Sequence, residues 1–153
     1  MEMKNELLHL LNVMGYPAPT VELHRLGSED FKPEAGSLDL CASSPPYSSH
    51  ERYSDEESQS YIRFPTNELW LNGYMRMTLE NCRLGLKPDG RLVMNLADTE
   101  TYPPLTNDFL ALARNTGFTL VETLQLALSK MVGTDKPSAS HKYEPIYVFT
   151  KRQ

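Results

Sequence analysis

The sequence predicts an α/β chain: a mostly parallel sheet with an antiparallel C-terminal strand. Three observations carry this. The short apolar run Leu38–Ala42 is followed by an amphipathic helix and then by a second apolar run, Arg91–Leu96. That is the order of a strand, a crossover helix and a parallel strand. A second helical pattern, Leu105–Asn115, feeds a long strand over Phe118–Leu128, and Ile146–Thr150 returns after a polar loop as its hairpin partner.

Each element has a local reason. Leu7, Leu8, Leu10, Leu11 and Met14 form an apolar stripe at helical spacing, so Met1–Met14 reads as a helix that Gly15 ends. Pro17 and Pro19 enforce a turn, and Val21–Leu26 alternates apolar and polar residues as a short strand does. Residues 1–27 therefore read as an N-terminal helix and strand, set before a domain spanning 28–153. Thr66 or Asn67 is a good cap for the crossover helix. Leu71, Met75, Leu79, Cys82 and Leu86 make its buried face, broadened by Trp70, Tyr74 and Met77. Lys87-Pro88-Asp89-Gly90 is a stop-and-turn signal, and Leu92, Val93 and Met94 give the next strand its buried character. Gly117 ends the helix over Leu105–Asn115, which carries Phe109, Leu110, Leu112 and Ala113.

The 153 residues fit one domain, and the hydrophobic fraction of 40% suits a soluble chain with long polar loops. The longest apolar run is too short to cross a bilayer, and the N-terminus lacks the pattern of a secretion signal. Cys41 and Cys82 fall in apolar settings and read as buried free thiols in a reducing, cytoplasmic compartment. His9, His24, His50 and His141 have no metal-ligand spacing. The formal charge of −5 argues against a chain that coats a polyanion by itself. A local cluster of Lys130, Lys136, His141 and Lys142, with Lys151 and Arg152 at the end, is either a phosphate-contacting surface or ordinary solvated surface.

The chemistry centres on Ser43-Ser44-Pro45-Pro46-Tyr47, directly after the Leu38–Ala42 strand. Two prolines fix two φ angles and remove two donors, and Ser44 before a proline is biased to an extended conformation. The result is a stiff turn that presents carbonyl and hydroxyl acceptors beside the Tyr47 ring. In an open α/β sheet ligands bind beyond the carboxyl ends of the strands. Asn95 and Asp98 end the second strand at that same edge, as a substrate or cofactor contact or as a strand-end turn. Residues 48–66 form a long excursion there, and loops of such length are usually functional or disordered. Tyr53, Tyr61 and Phe64 provide rings to fold it back. The bland alternatives are a plain strand end at Pro45-Pro46, packing roles for Tyr47 and Trp70, and pairing of Arg52 with Glu51 or Asp55.

Ser44-Pro45-Pro46-Tyr47 resembles the catalytic motif of DNA amino-methyltransferases: Asp, Asn or Ser, then Pro-Pro, then an aromatic residue. The Ser form looks more like the cytosine-N4 branch. A bacterial or phage modification-methylase group is also similar at Asp39-Leu40, Glu51 to Ser54, Gln59 to Tyr61, Leu86 to Gly90, Asn95 to Asp98 and Lys142 to Phe149. The resemblance spans about residues 28 to 150 and implies a partial Rossmann-like methyltransferase fold with S-adenosylmethionine as cofactor and DNA as partner. It implies catalytic roles for Ser44, Pro45, Pro46 and Tyr47 and cofactor contacts at Asn95 and Asp98. His50, Arg52, Tyr53, Tyr61, Lys136 and Lys142 would face the substrate. The departure is equally specific, because the family's glycine-rich cofactor loop is missing. The glycines stand at 15, 27, 36, 73, 85, 90, 117 and 133 and form no such loop after a strand. The chain therefore looks like the C-terminal half of such an enzyme, with the edge of the Leu38–Ala42 strand exposed. An unpaired edge is a liability. A homodimer, a complementary chain, or the strand at 21–26 is expected to cover it.

Overall fold

The computed structural model describes residues 9, 12–15, 20–47, 52, 54–127 and 143–152. Its centre is a four-stranded sheet in the order β1-β2-β4-β3, formed by β1 (Leu38–Ser43), β2 (Leu86–Asn95), β3 (Phe118–Ala127) and β4 (Tyr143–Lys151). β1 and β2 are parallel, and β4 is antiparallel to both β2 and β3. Three strands thus share one direction and the C-terminal strand alone opposes them, as the sequence predicts.

The crossover between β1 and β2 is one long helical stretch. A short α1 (Ser60–Arg63) precedes α2 (Asn67–Leu69), a π-helical segment (Trp70–Met75) and α3 (Arg76–Gly85). Thr66 is the cap, its hydroxyl accepting from the Leu69 N–H at 3.2 Å. Trp70, Tyr74 and Met75 of the π-helical segment are all buried. Gly73 lies under the Phe64 ring, where a Cβ would stand 2.7 Å from ring carbons, so glycine lets the loop fold onto the helix. The last helix, α4 (Leu105–Asn115), ends at Gly117 with φ +93°, a conformation that glycine adopts without a side-chain penalty.

The register assigns faces, because cross-strand partners point the same way. One row holds Cys41, Leu92, Phe149 and Leu120, and the next holds Ser43, Met94, Tyr147 and Thr123. This face carries the core: Leu92, Met94, Tyr147 and Phe149 pack with Trp70, Met75, Leu79, Phe109 and Phe118. The opposite face carries Ala42, Val93, Val148, Ile146 and Leu124, none of them fully buried. β1 is an edge strand, and Leu40 on it is 56% exposed.

Several expectations need correction. Val21–Leu26 forms no strand; Leu23 and Leu26 are exposed, and no sheet edge pairs with the segment. Alternation alone gives a strand no hydrogen-bond partner. It follows that the strand at 21–26 does not cover the β1 edge. Lys87-Pro88-Asp89-Gly90 is not a turn ahead of β2 but lies within it. β2 already pairs at Leu86 with Leu38 and resumes at Arg91 with Leu40, so the four residues are accommodated as a bulge. β4 begins at Tyr143 rather than Ile146. Most of the expected Met1–Met14 helix and the loop at 131–142 lie outside the described residues. No described helix is long and apolar enough to cross a membrane.

Candidate active site

The turn after β1 is fixed from three sides. Pro45 is fully buried. The indole N–H of Trp70 donates to the Pro46 carbonyl at 3.0 Å, so the buried helix holds the turn down. The Tyr47 hydroxyl accepts from the Ala97 N–H at 2.9 Å, which ties the turn to the residues following β2. The Tyr47 ring itself is half-buried against the core. Ser44 stands exposed between these anchors, its hydroxyl donating to Asn95 Oδ1 at the long distance of 3.5 Å. Asn95 in turn donates from Nδ2 to the Pro145 carbonyl at 3.1 Å, at the head of β4. β1, β2 and β4 therefore meet at this one corner of the sheet. Among the described residues no donor reaches the Pro45 carbonyl.

The other sequence-predicted residues divide. Asp98 sits at the same edge, but its carboxylate accepts from the Thr106 N–H at 2.7 Å and so stabilises the first turn of α4. Tyr61 donates to the Ser54 carbonyl at 2.9 Å, closing the loop before α1. The Arg52 guanidinium lies 5.3 Å from the centre of the Tyr61 ring, a cation–π distance. His50, Tyr53, Lys136 and Lys142 lie outside the described residues.

Two features are not legible in the sequence pattern. One is the bond from Trp70 to Pro46, since a tryptophan on a helical face signals packing and not which carbonyl its N–H will find. The other is the ion cluster at the start of the domain. Arg63 pairs with both Glu29 and Asp30, and the Glu29 side chain is only 2% exposed. The hydrogen bond from Arg63 holds the Asp30 carboxyl below its ordinary range. Asn81 donates to the carbonyls of Ser28 and Glu29 at 3.0 and 2.9 Å, so the 28–30 turn is bound to α3.

A cavity of about 330 Å³ lies away from the Pro-Pro turn and opens beneath the β1 edge, between that strand, α3 and the segment around Phe31 and Pro33. Its polar groups are few and mostly committed: Ser28 and Thr78 hydroxyls bond one another at 2.9 Å, and Asn81 serves the backbone. S-adenosylmethionine carries an ammonium, a sulfonium, a carboxylate, ribose hydroxyls and an adenine. The cavity offers no carboxylate and no glycine cradle, while Asn95 and Asp98 are bonded internally. The described residues alone do not fit the cofactor.

No protein-family model matches the chain, and no curated protein matches it in sequence. Solved structures do share its fold. A candidate DNA modification methylase from Thermus thermophilus matches 86% of this chain with TM-score 0.57 at 21% identity. The match covers 54% of that protein's chain, so this chain spans just over half its length. The Thermus protein has also been solved with S-adenosyl-L-methionine, where the match has TM-score 0.52 and 19% identity. A candidate S-adenosylmethionine-dependent methyltransferase from Listeria monocytogenes matches 97% of this chain and 77% of its own, with TM-score 0.54 and 11% identity. The shared property is the fold, a Rossmann-like methyltransferase architecture.

Proposed function

We propose that this chain is the catalytic-motif half of an S-adenosylmethionine-dependent methyltransferase acting on the exocyclic amine of cytosine or adenine in DNA. A second, complementary chain completes it by binding along the open β1 edge and supplying the cofactor site. The observation that carries the reading is the anchored Ser44–Tyr47 turn, with Ser44 exposed beside Asn95 at the carboxyl end of β1.

An exocyclic amine is a poor nucleophile because its lone pair is delocalised into the ring. The Ser44 oxygen and the Pro45 carbonyl accept its two N–H bonds and turn the lone pair away from the base plane. Holding nitrogen and methyl donor in line contributes a proximity effect. Fixed acceptors stabilise the positive charge that grows on nitrogen. Trp70 and Ala97 keep those acceptors from relaxing. Tyr47 offers its ring edge to a base extruded from the duplex, and Arg52 and Tyr61 flank the approach from the loop.

The test has two stages. Calorimetry with S-adenosylmethionine should detect no micromolar binding to the chain alone. Methyl transfer to DNA should then appear on adding a chain that carries a glycine-rich cofactor half. In that mixture Ser44→Ala is expected to lower transfer by about 100-fold or more, with stability changed by less than about 0.5 kcal/mol. Transfer that survives Ser44→Ala sinks the site assignment. Tight cofactor binding to the isolated chain sinks the need for a second chain, and a homodimer that is active alone assigns the covering role to a second copy. A second reading, a catalytically inactive methyltransferase-like module for binding or interaction, is favoured by the internal commitment of Asn95 and Asp98. It requires that no complementary chain restores transfer.

A further inference from the structure

The two cysteines of the chain are 41 residues apart in sequence terms, at Cys41 and Cys82, yet they meet on one cavity. Cys41 shares its row with Leu92 and so faces the helical layer. α3 runs directly above. A Cβ placed on Gly85 of that helix would stand 2.8 Å from Leu38 Cδ1, which shows how closely helix and edge strand approach. Cys82 lies one helical turn before Gly85, and Cys41 lies further along β1 from Leu38, so both thiols line that cavity, near enough for each to shift the other's proton affinity. Both are free and only partly buried, and the cavity beside them opens at the unpaired strand edge.

We propose that Cys41 and Cys82 are a redox-active dithiol that a disulfide of the glutathione class oxidises to an intramolecular disulfide. The roles of the two sulfurs differ. The hydrogen bond from Cys82 stabilises a Cys41 thiolate and lowers its proton affinity against the opposing effect of burial. The same contact, followed by burial, keeps the proton on Cys82. The thiolate is the nucleophile in exchange, so Cys41 attacks first. It forms a mixed disulfide and releases one glutathione thiolate, which takes up a proton. The charge that held the Cys82 proton is then gone. Cys82 deprotonates, attacks the Cys41 sulfur and releases the second glutathione. Two protein thiols are oxidised and one glutathione disulfide is reduced to two thiols. The sulfurs close to about 2.05 Å, a movement for which the open cavity leaves room. The cross-link would tie β1 to α3 only three residues before Ser44.

The experiment is intact-mass analysis of the reduced full chain after incubation with oxidised glutathione, followed by peptide mapping. The expected product has lost two hydrogens, carries no glutathione, and maps as a Cys41–Cys82 cross-link in the monomer. Cys82→Ser should trap one glutathione on Cys41, and Cys41→Ser should leave Cys82 largely unmodified. With the wild type alone, iodoacetamide at neutral pH should label Cys41 at least about tenfold faster than Cys82. A wild-type chain that accumulates a stable glutathione adduct, forms only intermolecular disulfides, or labels both cysteines at one rate overturns the proposal. The wild-type measurements decide the matter even if a variant fails to fold.

Discussion

The two faces of the sheet are built from the same strands and behave differently. On β4, Tyr147 and Phe149 are buried under the helices, while their neighbours Ile146 and Val148 on the other face are only half-covered. On β2, Leu92 and Met94 are buried, whereas Val93 between them is not. The helices supply one apolar layer, and a parallel strand pair normally needs two. Among the described residues the open face carries Val93, Val148, Ile146 and Leu124, none of them fully buried. β1 has a strand partner on one side only among those residues. The match to the Thermus protein spans just over half of that protein's length. The candidate site lies on the border. Its anchors, Trp70 and Pro45, belong to the covered side, and Ser44 is exposed at the border.

The sharpest test of this comparison uses adjacent residues. Phe149→Ala should cost about 3–5 kcal/mol, from lost burial and the cavity left behind. Val148→Ala should cost about 1 kcal/mol or less in the isolated chain, since only part of its surface leaves water on folding. Urea denaturation measures both. If a complementary chain covers the open face, adding it should raise the cost of Val148→Ala and leave that of Phe149→Ala unchanged. Equal costs in the isolated chain would break the distinction between the faces.

Arg63 tests the seam where the 28–30 turn roofs the edge cavity. Arg63→Ala leaves the buried Glu29 carboxylate without its cation, and Glu29 Oε2 already has no hydrogen-bond partner among the described residues. The expected loss is about 3 kcal/mol. The pH dependence has a fixed sign, because Asp30 is held below its ordinary value by Arg63. Its contribution is fully present above the unfolded carboxylate pKa of about 3.9 and is lost as pH falls through the lower folded value. In Arg63→Ala that linkage is removed, so the part of the acid limb contributed by Asp30 should flatten; an unchanged limb would show that the pair does not link the turn to α1.

The smallest effect concerns the turn itself. Trp70→Phe keeps most of the ring but removes the donor to the Pro46 carbonyl. A loss of about 1–2 kcal/mol is expected. In a reconstituted enzyme methyl transfer should fall by more than that destabilisation accounts for, because the acceptors at Ser44 and Pro45 gain freedom. A purely proportional loss would mean that the covered side does not hold the site in register.

Much of this was written in local pattern. The strand at Leu38, the capped helix from Thr66, the helix at Leu105 and the hairpin of β3 and β4 follow from periodicity, caps and glycine stops. These signals act over a few residues, and the chain obeys them wherever a partner exists. The Ser-Pro-Pro-Tyr turn was likewise legible, since two prolines stiffen a strand end in any context. The failures share a cause. Val21–Leu26 has the alternation of a strand, but a strand exists only when another edge accepts its hydrogen bonds. Lys87 to Gly90 has the composition of a turn, but pairing of Leu86 with Leu38 carries β2 across it.

By itself, then, the sequence determined the class of fold, the order of the elements from Leu38 onward and the turn that presents Ser44. Only the tertiary structure decided which carbonyl Trp70 binds, that Asp98 stabilises α4, that Glu29 is buried against Arg63 and that Cys41 meets Cys82. It also decided which face of the sheet is left open. The reason is distance along the chain. Local patterns report backbone preference and burial, whereas these contacts join residues tens of positions apart, and their geometry exists only once the layers have packed.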